Sequence, residues 1–133
     1  IQLPTQEKFD LCIVVDASSV KRLGAEVKAK RFMRIDHHKG GDFYCQCDLI
    51  DAEAPATAVV VYYLLKHLKG ELIDRDIATC IYTGLATDTG FFVNSNTTAE
   101  ALKLASLLVE KYKVDPHEVA VNVKERNPVR RLK

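Results

Sequence analysis

The sequence predicts an α/β fold: a parallel sheet flanked by helices. Three observations carry this expectation. Phe9-Asp10-Leu11-Cys12-Ile13-Val14-Val15 is a near-continuous apolar run rich in β-branched residues, the pattern of a strand buried on both faces. Phe32 to Ile35 is a second, shorter run of the same kind, and Val20, Leu23 and Val27 recur between them at helical spacing. Strand, helix and strand in that order form a crossover unit, which is almost always right-handed, so the two strands are expected to run parallel as neighbours.

The elements follow in order. Gln2 to Lys8 is polar, contains Pro4 and reads as a loop. The first strand stops at Asp16, and Ser18 or Ser19 is placed to cap a helix running to about Lys30. The second strand stops at Asp36, and Gly40-Gly41-Asp42 is a turn. Phe43 to Asp51 alternates imperfectly and reads as a third strand. Pro55 stands near the first turn of a helix expected to reach about Leu68. That helix is apolar almost all round, so it is expected to be buried. Lys69-Gly70 ends it, and Asp74 caps the next, from Arg75 to about Leu85.

There follows Gly84-Leu85-Ala86-Thr87-Asp88-Thr89-Gly90, a carboxylate flanked by threonines and bracketed by glycines. The glycines are expected to admit a ligand close to the backbone, and Thr87 and Thr89 to orient Asp88 and reach substrate. Thr97 with Glu100 has the pattern of a capping box opening a helix to about Lys111, with Leu102, Ala105, Ser106 and Val109 on its inner stripe. Asp115-Pro116-His117-Glu118 starts a last short helix.

Composition bounds the function. A chain of 133 residues with 47% apolar and 28% charged residues is long enough for one ordinary globular domain with a real core. Nineteen lysines and arginines nearly cancel eighteen aspartates and glutamates, so bulk charge argues for no particular partner. No apolar run approaches the ~20 residues of a membrane span and no signal peptide is visible, which makes the cytoplasm the expected location. Cys12 and Cys80 lie in apolar runs and read as small buried hydrophobes, while Cys45 and Cys47 share one face of a strand. All four are expected to be reduced structural thiols, because no second pair at zinc spacing accompanies Cys45 and Cys47. Tyr62, Tyr63 and Tyr82 read as core residues with polar tips, and His67 and His117 as surface or satisfied helical histidines.

The candidate site residues stand where apolar elements end. Asp16 and Asp36 both fall at the carboxyl edge of the sheet, the edge where open α/β folds bind ligands. Their separation of twenty residues invites comparison with dinucleotide sites, but no G-x-G-x-x-G follows the first strand. Asp16 reads equally as a helix cap or as a metal ligand. Asp36-His37-His38 puts three ionisable groups in a row after a buried strand, which is costly without a shared task. Adjacent histidines point in different directions, so one is able to bind a metal while the other faces substrate. Asp88 reads as a third ligand or as part of a glycine turn. A carboxylate and imidazole set at one sheet edge is the donor chemistry of metal-assisted phosphoryl transfer.

Ile13-Val14-Val15-Asp16, then Ile35-Asp36-His37-His38, then Gly84 to Gly90 resemble, in order, the second, third and fourth motifs of the DHH phosphoesterase superfamily. Asp88-Thr89-Gly90-Phe91-Phe92 followed by Asn96-Thr97-Thr98 is most similar to the nanoRNase branch, oligoribonucleases that also dephosphorylate 3′-phosphoadenosine 5′-phosphate. The resemblance implies a Rossmann-like catalytic domain with two divalent ions, usually manganese. It implies that Asp16 bridges both ions, that His37 and Asp88 complete one shell, that His38 contacts the scissile phosphate, and that Asp36 orients the histidine pair. The implied substrate is a short single-stranded oligonucleotide or a nucleotide phosphate. A homodimer is implied for the full-length protein.

The departures from the family pattern set further expectations. The first motif, His-x-x-x-Asp-x-Asp, is absent, as is a downstream substrate-binding domain. Residues 1–125 are therefore expected to be a partial catalytic domain and residues 126–133 the start of a linker, with weak or no activity from this piece alone. Two alternatives stay open: the same chemistry on cyclic dinucleotides, pyrophosphate or longer strands, and an inactive binding or regulatory module on the same fold.

Overall fold

The computed structural model describes residues 9–19, 27–41 and 45–125. Three strands, β1 (Phe9–Val15), β2 (Ala29–Asp36) and β3 (Cys47–Ile50), pair side by side in that order, and both pairings are parallel. This is the expected α/β architecture. Val15 pairs with Ile35 and Asp36 with Ile50, so Asp16 and Asp36 do come to the same edge of the sheet. Four helices follow: α1 (Thr57–Lys69), α2 (Arg75–Asp88), α3 (Ala99–Tyr112) and α4 (Pro116–Glu125). A single 3₁₀ turn, Gly70–Leu72, separates the first two.

The core lies between β2 and the helices. Ile35, Val59, Val60, Ile81, Leu85, Leu104 and Leu108 are buried together in it. Gly84 lies inside α2, where a β-carbon would come within 2.8 Å of the Ala58 Cβ on α1. The glycine therefore serves close helix packing, not approach to a ligand. Gly40 and Gly41, which follow β2, have φ of +82° and +118°, which side chains rarely adopt, and Asp42 of the expected turn lies outside the described residues.

Several expectations need correction. The first strand is not buried on both faces, for Phe9, Leu11, Ile13 and Val15 expose one side of it. The second strand begins at Ala29, so Ala29 and Lys30 are not helical, and residues 20–26 of the expected helix lie outside the described residues. The third strand is confined to Cys47–Ile50, and Phe43 and Tyr44 of the expected strand also lie outside them. Helix α1 is amphipathic: Val59, Val60 and Tyr62 are buried, whereas Tyr63 and Leu68 are exposed. Cys80 is exposed too.

The cap of α3 is Thr98, one residue later than expected; its hydroxyl accepts a bond from the Ala101 amide at 3.1 Å. The buried face of α3 carries Ala101, Leu104, Ala105 and Leu108, so of the expected inner stripe Ala105 is buried, whereas Leu102 and Ser106 are exposed. Asp74 caps α2 as expected, accepting from the Ile77 amide at 2.8 Å. Among the described residues, no helix is long and apolar enough to cross a membrane.

Candidate metal centre

The site forms where β1, β2, α1 and α2 meet. Asp36, the last residue of β2, is fully buried, and its Oδ1 accepts three bonds. The donors are the His37 amide at 2.7 Å, the His38 amide at 3.1 Å and the His38 ring Nδ1 at 2.7 Å. Burial alone pushes the Asp36 carboxyl up. The bonds from the His38 side chain and from the His38 and His37 amides outweigh it, holding the carboxyl below its ordinary value. An ionised Asp36 only accepts, so the His38 Nδ1 carries the proton and its Nε2 is left for another partner.

His37 is fixed differently. Its Nδ1 lies 3.1 Å from the Ala54 carbonyl oxygen, which also only accepts, so Nδ1 carries a proton. The opposite nitrogen, Nε2, lies 3.8 Å from Asp16 Oδ1 and 3.7 Å from Asp88 Oδ2. Two carboxylates thus converge on one imidazole nitrogen whose tautomer is set by a backbone carbonyl behind it. Ligating histidines are commonly held by such an outer contact. Donor atoms of Asp16, His37 and His38 all lie within 4.8 Å of one another. Burial, and then the negative charge of Asp16, push the Asp88 carboxyl above its ordinary value, against the opposing pull of His37 and His38. A cation between these groups relieves that repulsion, and the mixed oxygen and nitrogen donors suit a divalent ion of borderline character.

Asp88 does not sit in a glycine loop. Helix α2 runs through Gly84 to Asp88 itself, because packing against Ala58 favours continuation there. The carboxylate therefore projects from the last turn of a rigid element. Its flanking threonines do not orient it. The Thr87 hydroxyl donates to the Thr83 carbonyl at 2.9 Å, and that of the fully buried Thr89 donates to Leu85 at 2.7 Å while accepting from the Phe92 amide. Both bonding directions of the Thr89 hydroxyl are thereby engaged by the backbone around the end of α2.

Two side chains that the sequence reading did not place among the candidate site residues support the site. The Thr57 hydroxyl donates to Asp16 Oδ1 at 2.8 Å, and Asn96 Nδ2 donates to the carbonyls of Pro55 at 3.0 Å and Asp88 at 3.2 Å. Thr57 leaves one signal in the sequence: it is the lone polar side chain between Ala54 and Val61. Val15, Asp16, Thr57, Val61, Cys80 and Asp88 are among the residues lining a cavity of about 310 Å³ that opens beside the carboxylates.

The family model described as "DHH family, N-terminal domain" matches residues 2–85, more than half of the chain. The chain belongs to the DHH family. This DHH chain is 33% identical over 105 residues to an uncharacterized protein of Mycoplasma genitalium, covering 77% of this chain and 32% of that one. It is 32% identical over 104 residues to the bifunctional oligoribonuclease and PAP phosphatase NrnA of Bacillus subtilis, covering 75% and 33% of the two chains. Among solved structures it is similar to an exopolyphosphatase-related protein from Bacteroides fragilis, with a TM-score of 0.71 at 27% identity, over 83% of this chain and 34% of that one. The DHH chain thus spans about a third of the length of the curated relatives it matches.

Proposed function

We propose that this DHH chain carries part of the active site of a metal-dependent phosphoesterase that acts on short oligoribonucleotides, on 3′-phosphoadenosine 5′-phosphate, or on both. The observation that carries the reading is the convergence of Asp16 and Asp88 on His37 Nε2, with the other ring nitrogen tied to Ala54. Likeness to NrnA over three quarters of the chain supports the substrate class.

In this reading Asp16, His37 and Asp88 would hold a divalent ion, and manganese would suit the donor set. Ions held there supply charge neutralisation and a water of lowered pKa. The chain's own residues do the rest. Asp36 fixes the ring of His38, leaving Nε2 to face a phosphate oxygen of the substrate. The Ala54 carbonyl keeps the proton of His37 on Nδ1, so that its Nε2 offers a lone pair.

The test uses the intact protein with Mn²⁺, following mononucleotide release from a diribonucleotide and phosphate release from 3′-phosphoadenosine 5′-phosphate. Loss of at least about a hundredfold in turnover is expected for His37→Ala and for Asp88→Ala. Unchanged turnover in either variant overturns the residue assignment. Turnover only on pyrophosphate or cyclic dinucleotides overturns the substrate class.

A further inference from the structure

The segment Ala54 to Thr57 supplies none of the proposed ligands, yet it reaches the residues that carry all three. The Ala54 carbonyl accepts from the His37 ring at 3.1 Å. The Pro55 carbonyl accepts from Asn96, whose same nitrogen holds the Asp88 carbonyl, so the turn before α1 is strapped to the end of α2 at the site. The Thr57 hydroxyl donates to Asp16 Oδ1 from 41 residues away. Ala54, Pro55, Ala56 and Thr57 are all buried, so this turn is a rigid reference against which the other elements are set.

Asp16 needs such a reference more than the others do. It follows β1 with a φ of +59°, in the left-handed region, and its side chain is 48% exposed. The oxygen that Thr57 holds is the one facing both imidazoles, 3.8 Å from His37 Nε2 and 3.7 Å from His38 Nδ1. Threonine is suited to this task because β-branching stiffens its first side-chain torsion, which presents the hydroxyl in a fixed direction.

We infer that Thr57 is a positioning residue for Asp16, and that the turn from Ala54 to Thr57 is the common clamp of the metal centre. The inference rests on the metal reading proposed above. Valine in place of threonine keeps the shape and removes the donor, so Asp16 must be ordered when the ion binds.

The experiment measures Mn²⁺ affinity calorimetrically on the intact protein, comparing wild type with Thr57→Val, Thr57→Ser and Asp16→Asn. Thermal unfolding of each metal-free variant shows that it is folded. The expected result is a 10- to 100-fold weaker affinity for Thr57→Val, the range found when an outer contact to a metal ligand is lost. Thr57→Ser, which restores the hydroxyl, is expected within about threefold of wild type. Wild-type affinity in Thr57→Val, or equal weakening in Thr57→Ser, overturns the positioning role. Wild-type affinity in Asp16→Asn overturns the metal reading beneath it, so the two failures are told apart.

Discussion

The ends of β1 and β2 offer the same residue type at the same edge of one sheet, and they hold it in opposite ways. Asp36 is fully buried and takes three hydrogen bonds from the two residues that follow it. Asp16 is half exposed on a left-handed backbone and is held by a hydroxyl from a different element. The strands behind them differ likewise: Ile35 is 4% exposed, whereas Ile13 on β1 is 51% exposed. The carboxylate that organises its neighbours is locked into the core. The one proposed to meet ions faces the opening and is steadied from outside its own strand. Rigidity and access are thus divided between two adjacent strands.

This contrast makes graded predictions. Ile35→Ala, opening a cavity in the core, is expected to cost about 2–5 kcal/mol of stability in urea unfolding. The same change at Ile13 is expected to cost about 0.5 kcal/mol, as for an exposed position; equal losses would erase the difference between the strands. Asp36→Ala leaves the His38 ring and two amides without their acceptor, and a loss of about 1–3 kcal/mol is expected. Asp16→Ala is expected to change stability by no more than about 0.5 kcal/mol while removing Mn²⁺ binding, which calorimetry on the same sample reads directly.

The smallest effect concerns pH. The Asp36 carboxyl lies below its ordinary value in the folded chain, so its contribution to stability is complete above the unfolded value of about 4 and is lost as pH falls through the lowered folded value. Unfolding free energies of the metal-free protein below about pH 4 should therefore fall more steeply in wild type than in Asp36→Asn. Parallel curves would show that the bonds to His37 and His38 do not favour the ionised form.

Much of this contrast was not legible in the sequence. The parallel sheet was, because two β-branched runs separated by a helical period leave few topologies. The gathering of Asp16, His37 and Asp88 was legible as well, since each follows an apolar element. Burial on β1 was not: a run such as Leu11 to Val15 reads the same whether or not a layer covers both of its faces. Asp88 was misplaced into a loop because glycine is a weak helix former, and local propensity yields to the packing of Gly84 against Ala58. The cap at Thr98 was missed by one residue because Thr97 and Thr98 are the same type, and only Glu100 favoured the earlier one. Thr57 and Asn96 act across 41 residues each, beyond the reach of any local pattern.

The contact of Gly84 with Ala58 also fixes a dimension of the site. Ala58 adjoins Thr57, Gly84 stands one helical turn before Asp88, and all four line the cavity beside the carboxylates. Hydrogen in place of a methyl group allows the two helices to approach closely there. The spacing of α1 and α2 beside the candidate site is thus set by a hydrocarbon contact that contains no polar atom, and a side chain larger than hydrogen at position 84 would push the two helices apart there.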